Sequence, residues 1–281
     1  MTRLVSITEN LFFSQKSKTV LNKITVISAI LLYTLHIISV FFFAGNRDWT
    51  DAILRAIYTP FTIILAYELY LIAYYFRKST SYYIFMQYEI ITLVFVRGIL
   101  GYLSKTNYKS VDNFKFISET TVLLFGLFIV ILLVNLFYKR IIIKNEVINQ
   151  DHTPSLFKRI ASIGLMLFLL YNLATDLYII IQELLRLSDI TVFYSVNWLS
   201  NSTFINFFTL LIILEVLMLL FSLLRDESFP IIVRNTSYII STVLLKLSFR
   251  FSGVENMTII LISILFGFGI AYWYYNNRKC K

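Results

Sequence analysis

The chain has a single cysteine, Cys280, and that scarcity closes off several chemistries. No internal disulfide can form, and neither a thiolate metal cluster nor a thioredoxin-type cysteine pair can be built. Only Lys281 follows it, so no prenylation box is present. His36 and His152 are the only histidines, which excludes multi-histidine di-iron sites and disfavours zinc sites of the usual kind. The metalloprotease HExxH, the nucleophile elbow GxSxG and the phosphate-cradling GxxxxGK[ST] and GxGxxG patterns are all absent. Gly267-Phe268-Gly269 lacks the third glycine of the dinucleotide pattern and reads as close helix packing. The expectation is a protein without metal, cofactor or enzymatic activity.

Charge is scarce too, at 15% of residues, and eight Gly with three Pro leave little loop. What fills the chain instead is apolar: 58% hydrophobic, 17% aromatic, with a mean hydropathy of +0.75. Several runs reach the roughly 20 residues that a helix needs to cross a bilayer core. They are continuously apolar rather than alternating, which disfavours a β-barrel. The first run is long and is not followed by a small-residue cleavage site, so no signal peptide is expected. The net charge of +9 would suggest nucleic acid in a soluble protein. Here basic residues flank helices and set orientation, and no nucleic-acid partner is expected.

The fold class that follows is all-α: a multi-pass transmembrane helical bundle of eight spans. They are predicted at 24–44, 57–76, 82–103, 117–138, 160–183, 203–224, 231–249 and 254–275. The seventh is the weakest, because Arg234 and Lys246 interrupt it. The chain divides into an N-terminal segment 1–23, a first four-helix unit 24–138, a linker 139–156, a second unit 157–276 and a basic tail 277–281. Basic residues concentrate in the segments holding Lys16, Lys18, Arg77, Lys139, Arg140, Lys144, Arg225 and the tail. The positive-inside rule then places both termini in the cytoplasm of a plasma-membrane protein. Trp49 and Trp198 suit the headgroup level, as does the Tyr272–Tyr275 aromatic run.

The halves also resemble each other. Leu31-Leu32-Tyr33-Thr34-Leu35 matches Leu169-Leu170-Tyr171-Asn172-Leu173. Glu68 matches Glu215, Arg97 matches Lys246, and Glu119 and Glu255 each begin the last helix of their half. Four spans per half make the two repeats parallel, related by an axis along the membrane normal. The unit of four helices resembles the phosphate-starvation-inducible protein E family. Glu68, Tyr75-Phe76 and Arg97 carry the likeness in the first half, and Glu215 with Phe229-Pro230 in the second, where Lys246 stands for the arginine. The first half lacks the Phe-Pro. The resemblance implies a multi-pass membrane protein of unsettled biochemical function and supplies no catalytic site.

An ionisable residue inside a bilayer costs at least about 2.5 kcal/mol on insertion scales, so each is a functional candidate. At about 1.5 Å rise per residue, Glu68 and Glu89 lie roughly 10–12 Å from the basic end, Glu215 about 14 Å, and Arg97, Asp176 and Lys246 about 22–24 Å. Two pairings follow: Glu68 with Glu89, and Asp176 with Lys246. The first suits a proton or cation site. His36 is either a proton relay or a histidine bonded to a neighbouring helix. One functional reading is a proton or small-ion pathway between the repeats, lined by Glu68, Glu89 and Glu215. The other is a non-catalytic scaffold or stress-response protein, binding a partner or anionic lipid headgroups through Lys139, Arg140, Lys144, Arg278 and Lys279. A homo-oligomer is compatible with either. Alternatively, the intramembrane charges pair with each other or with carbonyls and fix helix register.

Overall fold

The computed structural model describes residues 12–43, 56–77, 79–105, 113–143, 156–186, 201–224 and 228–277. Eight α-helices run through them: α1 (Gln15–Phe43), α2 (Tyr58–Phe76), α3 (Thr80–Lys105), α4 (Asn113–Phe137), α5 (Leu156–Arg186), α6 (Asn201–Leu223), α7 (Phe229–Ser248) and α8 (Gly253–Asn277). A π-helical turn, Tyr138–Ile143, continues α4. There is no strand among the described residues.

Helix starts follow local chemistry. Pro60 lies in the first turn of α2, where the backbone N–H has no intrahelical partner to lose. Pro230 opens α7 behind an extended Ser228. Between α7 and α8 the chain turns within a few residues and Gly253 takes φ +62°, a left-handed conformation that glycine adopts without a Cβ penalty.

Consecutive helices pack against each other within each half, and α7 with α8 form the most extensive pair. Across the halves, α3 is the hub: it touches α7 and α8 as well as its neighbours α2 and α4. Helix α4 packs on α8, and α2 packs on α5. The α2–α5 and α3–α8 contacts have no counterpart of similar extent in α1–α6 or α4–α7, so the described packing is not twofold symmetric.

The core is aromatic and centred on α2 and α3, with Tyr74, Phe76, Tyr83 and Tyr88 fully buried. Large apolar side chains face outward from α1, α4, α5, α6 and α8, including Ile27, Phe41, Phe125, Leu167, Leu220 and Ile262. Apolar residues on both the inside and the outside are what a bilayer solvent permits. Lipid gives helices no hydrophobic reason to associate, so close packing and polar bonds must hold them. The α7–α8 seam shows both. Ser263, Gly267 and Ala271 form a small-residue stripe on α8, and Ser241 and Ser263 exchange side-chain and backbone hydrogen bonds at 2.8–3.0 Å.

Seven helices are long and apolar enough to cross a membrane; α7 is the exception. Arg234, Asn235 and Lys246 interrupt its apolar run, and its buried face carries Ser237, Ser241, Thr242 and Ser248 at helical spacing. Two boundaries differ from expectation. Helix α1 begins at Gln15 rather than 24, so the polar segment 15–23 is helical. Tyr70 and Tyr74 of α2 hold this end by donating to the Phe12 carbonyl at 2.7 Å and to Gln15 Oε1 at 2.9 Å. The linker expected from 139 begins later, because the π turn runs on to Ile143 and buries Ile141 and Ile142.

Candidate functional site

Helices α1, α2 and α3 and the π turn after α4 enclose a cleft of about 320 Å³. Two carboxylic residues, Glu68 of α2 and Glu89 of α3, line it together with the ammonium-bearing Lys18 of α1. Three phenols, those of Tyr75, Tyr82 and Tyr138, form its aromatic wall. The remaining wall is apolar: Leu71, Phe85 and Met86. The close packing of α2 on α3 makes this possible, with the Ser79 N–H donating to the Tyr75 carbonyl so that the end of α2 lies beside the start of α3. Glu68 and Glu89 are then about two turns from that end on facing helices.

The rings are braced against one another. Tyr75 and Tyr82 lie 4.1 Å apart between centroids, and Phe85 and Tyr138 lie 5.0 Å apart. The Lys18 ammonium hydrogen-bonds the Tyr75 hydroxyl and sits 4.7 Å from the Tyr75 ring centroid and 5.6 Å from that of Tyr74. Glu89 and Lys18 are the two charges that act on Glu68, with opposite sign. Glu68 Oε2 is buried without a hydrogen-bond partner. With both carboxylates ionised, the cleft carries one negative charge in excess of its single ammonium.

Glu215 is elsewhere. It is 1% exposed on α6, where its Oε1 accepts from Gln87 of α3 at 2.9 Å and from Thr242 of α7 at 3.2 Å. Thr242 also donates to Gln87 Oε1 at 2.8 Å. Three further polar links join α3 to α7 and α8. Tyr88 of α3 hydrogen-bonds Ser241 of α7 at 2.8 Å, and Ser81 of α3 bonds Tyr238 of α7 and Tyr275 of α8. Arg234 lies over the Tyr274 ring at 4.7 Å and reaches the Tyr275 hydroxyl at 3.5 Å.

The structure thus brings Glu68 and Glu89 together, as their shared depth suggested, and leaves Glu215 out of that group. The three acids do not line one site: Gln87 and Glu89 leave α3 in different directions. Asp176 on α5 accepts from Thr203 of α6 at 2.6 Å, and α5 packs on α2 and α6 while Lys246 is on α7. Arg97 lies about two turns, roughly 12 Å, along α3 from Glu89. His36 Nδ1 is bonded to Thr59 of α2 at 2.6 Å. Lys139 and Arg140 are exposed on the π turn. Lys144, Arg278 and Lys279, like Trp49 and Trp198, lie outside the described residues.

Sequence reasoning passed over Lys18, Gln87 and the tyrosines. Gln87 carried a usable signal, being a polar residue amid an apolar run; Lys18 was taken for a helix flank.

Fold and cleft together define a class: a multi-pass helical membrane protein with an acidic and aromatic cleft among its first four helices. No family model, no curated protein and no solved structure matches the chain.

Proposed function

We propose that this protein takes up a proton or a small monovalent cation at Glu68 and Glu89 and passes it across the membrane, without catalysing a reaction. The observation that carries this reading is the placing of two carboxylates in one cleft whose single built-in ammonium balances only one of them. A site one charge short attracts one monovalent cation. Eight spans belong to the proposal, with α7 crossing as a helix whose polar face is turned into the bundle, in two repeats facing the same way. Glu68 and Glu215, each eight residues before the end of its helix, support the repeat. Both termini are then cytoplasmic, in the plasma membrane, and the cleft opens toward the end bearing Arg77, Lys139 and Arg140. The exposed Lys139 and Arg140 also favour a second role for that end, contact with anionic lipid headgroups.

Flux in proteoliposomes at several membrane potentials tests the reading. The native chain and Glu215→Gln should conduct, and Glu68→Gln with Glu89→Gln should not. A folded native chain without flux sinks the transport reading.

A further inference from the structure

The cleft's chemistry goes further than a bare charge count. Hard metal ions take six or more oxygen ligands, or keep much of their water. Here two carboxylates stand among tyrosine rings and the apolar Leu71, Phe85 and Met86. No group of three or more His, Cys, Asp or Glu that could hold a metal ion occurs among the described residues. Rings with carboxylates behind them suit a different cation, an alkylammonium, whose charge faces π systems and carboxylate while its carbon chain lies on apolar wall. The volume, about 320 Å³, lies at the small end of ligand pockets.

The chain itself displays the interaction. The Lys18 side chain is a butylammonium group on a tether. Its nitrogen hydrogen-bonds the Tyr75 hydroxyl and stands within cation–π reach of the Tyr74 and Tyr75 rings. It enters the cleft because α1 begins early, at Gln15, and is fastened to α2 by Tyr70 and Tyr74. We propose that the Glu68–Glu89 cleft is a binding site for a small organic ammonium ion, and that Lys18 occupies its cation position as a tethered competitor. A ligand must displace Lys18 from Tyr75 or share the cleft with it. Removal of the lysine charge leaves both carboxylates unbalanced and the aromatic wall open. This inference rests on the cleft being a cation site, as the proposed function has it, and not on transport.

The test is calorimetric titration of n-butylammonium chloride into the full-length protein in nanodiscs, with sodium and potassium chloride at matched ionic strength as comparators. Lys18→Gln should bind n-butylammonium at least tenfold more tightly than the native chain. Glu68→Gln combined with Glu89→Gln should weaken it at least tenfold, and neither sodium nor potassium should give a saturable heat. If Lys18→Gln does not fold, Lys18→Met, which keeps the apolar stem without charge, is read in its place. No saturable binding in native and lysine-free forms overturns the ammonium site, and native flux in that case leaves the cation pathway standing. Ammonium binding without any flux supports the site and removes the transport reading. Equal affinity with and without Lys18 overturns its role as competitor.

Discussion

Gln87 and Glu215 meet side chain to side chain at 2.9 Å, and both are essentially closed to solvent, at 0% and 1% exposure. With Thr242 they tie α3, α6 and α7 at one level. Removal of one partner of a buried hydrogen bond costs more than removal of both, because the survivor stays desolvated. Glu215→Leu should therefore destabilise the fold by about 1–3 kcal/mol, with Glu215→Gln milder because an acceptor oxygen remains. Adding Gln87→Leu to Glu215→Leu should recover part of the loss. Reversible unfolding in mixed micelles would measure the native chain, Glu215→Gln, the single variants Glu215→Leu and Gln87→Leu, and the double variant. A double variant as unstable as the sum of the singles would deny the coupling.

Close helix approach makes a second prediction. At Gly267 of α8 a Cβ would run into the buried Tyr88 hydroxyl, and at Gly126 of α4 into the Met257 side chain. At Gly269 nothing lies within 4 Å. Overpacking at a tight seam costs about 1–3 kcal/mol, whereas alanine for glycine in an open helix position gains up to about 1 kcal/mol. Gly267→Ala should lower the unfolding midpoint and Gly269→Ala should not. Gly126→Ala should cost less than Gly267→Ala, since a flexible methionine can move away while a tyrosine bonded to Ser241 cannot.

Apolar run length made the helices legible, because bilayer thickness and helix rise leave little freedom in how such runs fold. Depth along each helix was legible for the same reason, and it paired Glu68 with Glu89 correctly. Rotation about the helix axis was not. Nothing in the run Met86-Gln87-Tyr88-Glu89 says that Glu89 faces α2 and the cleft while Gln87 faces α6 and α7. Neighbour identity was hidden likewise: depth alone does not tell that Asp176 meets Thr203 of α6. The charged stretch before residue 24 resembled a solvated flank, and it is tertiary bonds from Tyr70, Tyr74 and Tyr75 of α2 that hold its helix. In α7 the interrupting Arg234 and Lys246 were plain, but the destination of its serines and threonines inside the bundle could not be read from composition.

Whether α7 crosses has a direct consequence for topology. Eight crossings place the termini on one side, and seven place them on opposite sides. Cys280 is the sole native cysteine and reports the C-terminal end. Ser6→Cys in a Cys280→Ser background reports the other. A membrane-impermeant maleimide should label both or neither in sealed, uniformly oriented vesicles. Labelling of one alone would place α7 as a helix that enters the bundle without crossing it.

The last prediction concerns pH, and it lies at the far end of α3 from the cleft. Tyr102, beyond the apolar stretch that ends at Leu100, donates to Glu119 Oε2 at 2.6 Å and stacks on Phe116 at 5.8 Å. The bond to Glu119 raises the phenol's pKa above its usual value near 10, with smaller contributions from desolvation and the carboxylate's charge. An acid whose pKa is higher folded than unfolded binds its proton more tightly when folded. Its stabilising contribution is complete below the unfolded pKa, near 10, and is lost as pH rises through the folded value. The native chain should therefore lose stability above about pH 10 more steeply than Tyr102→Phe. Tyr102→Phe should itself cost about 0.5–1.5 kcal/mol at neutral pH, the net worth of one hydrogen bond. Thermal unfolding of both chains between pH 8 and pH 11 reads the difference. Parallel pH profiles would mean that the Tyr102–Glu119 bond contributes nothing to holding α4 against α3.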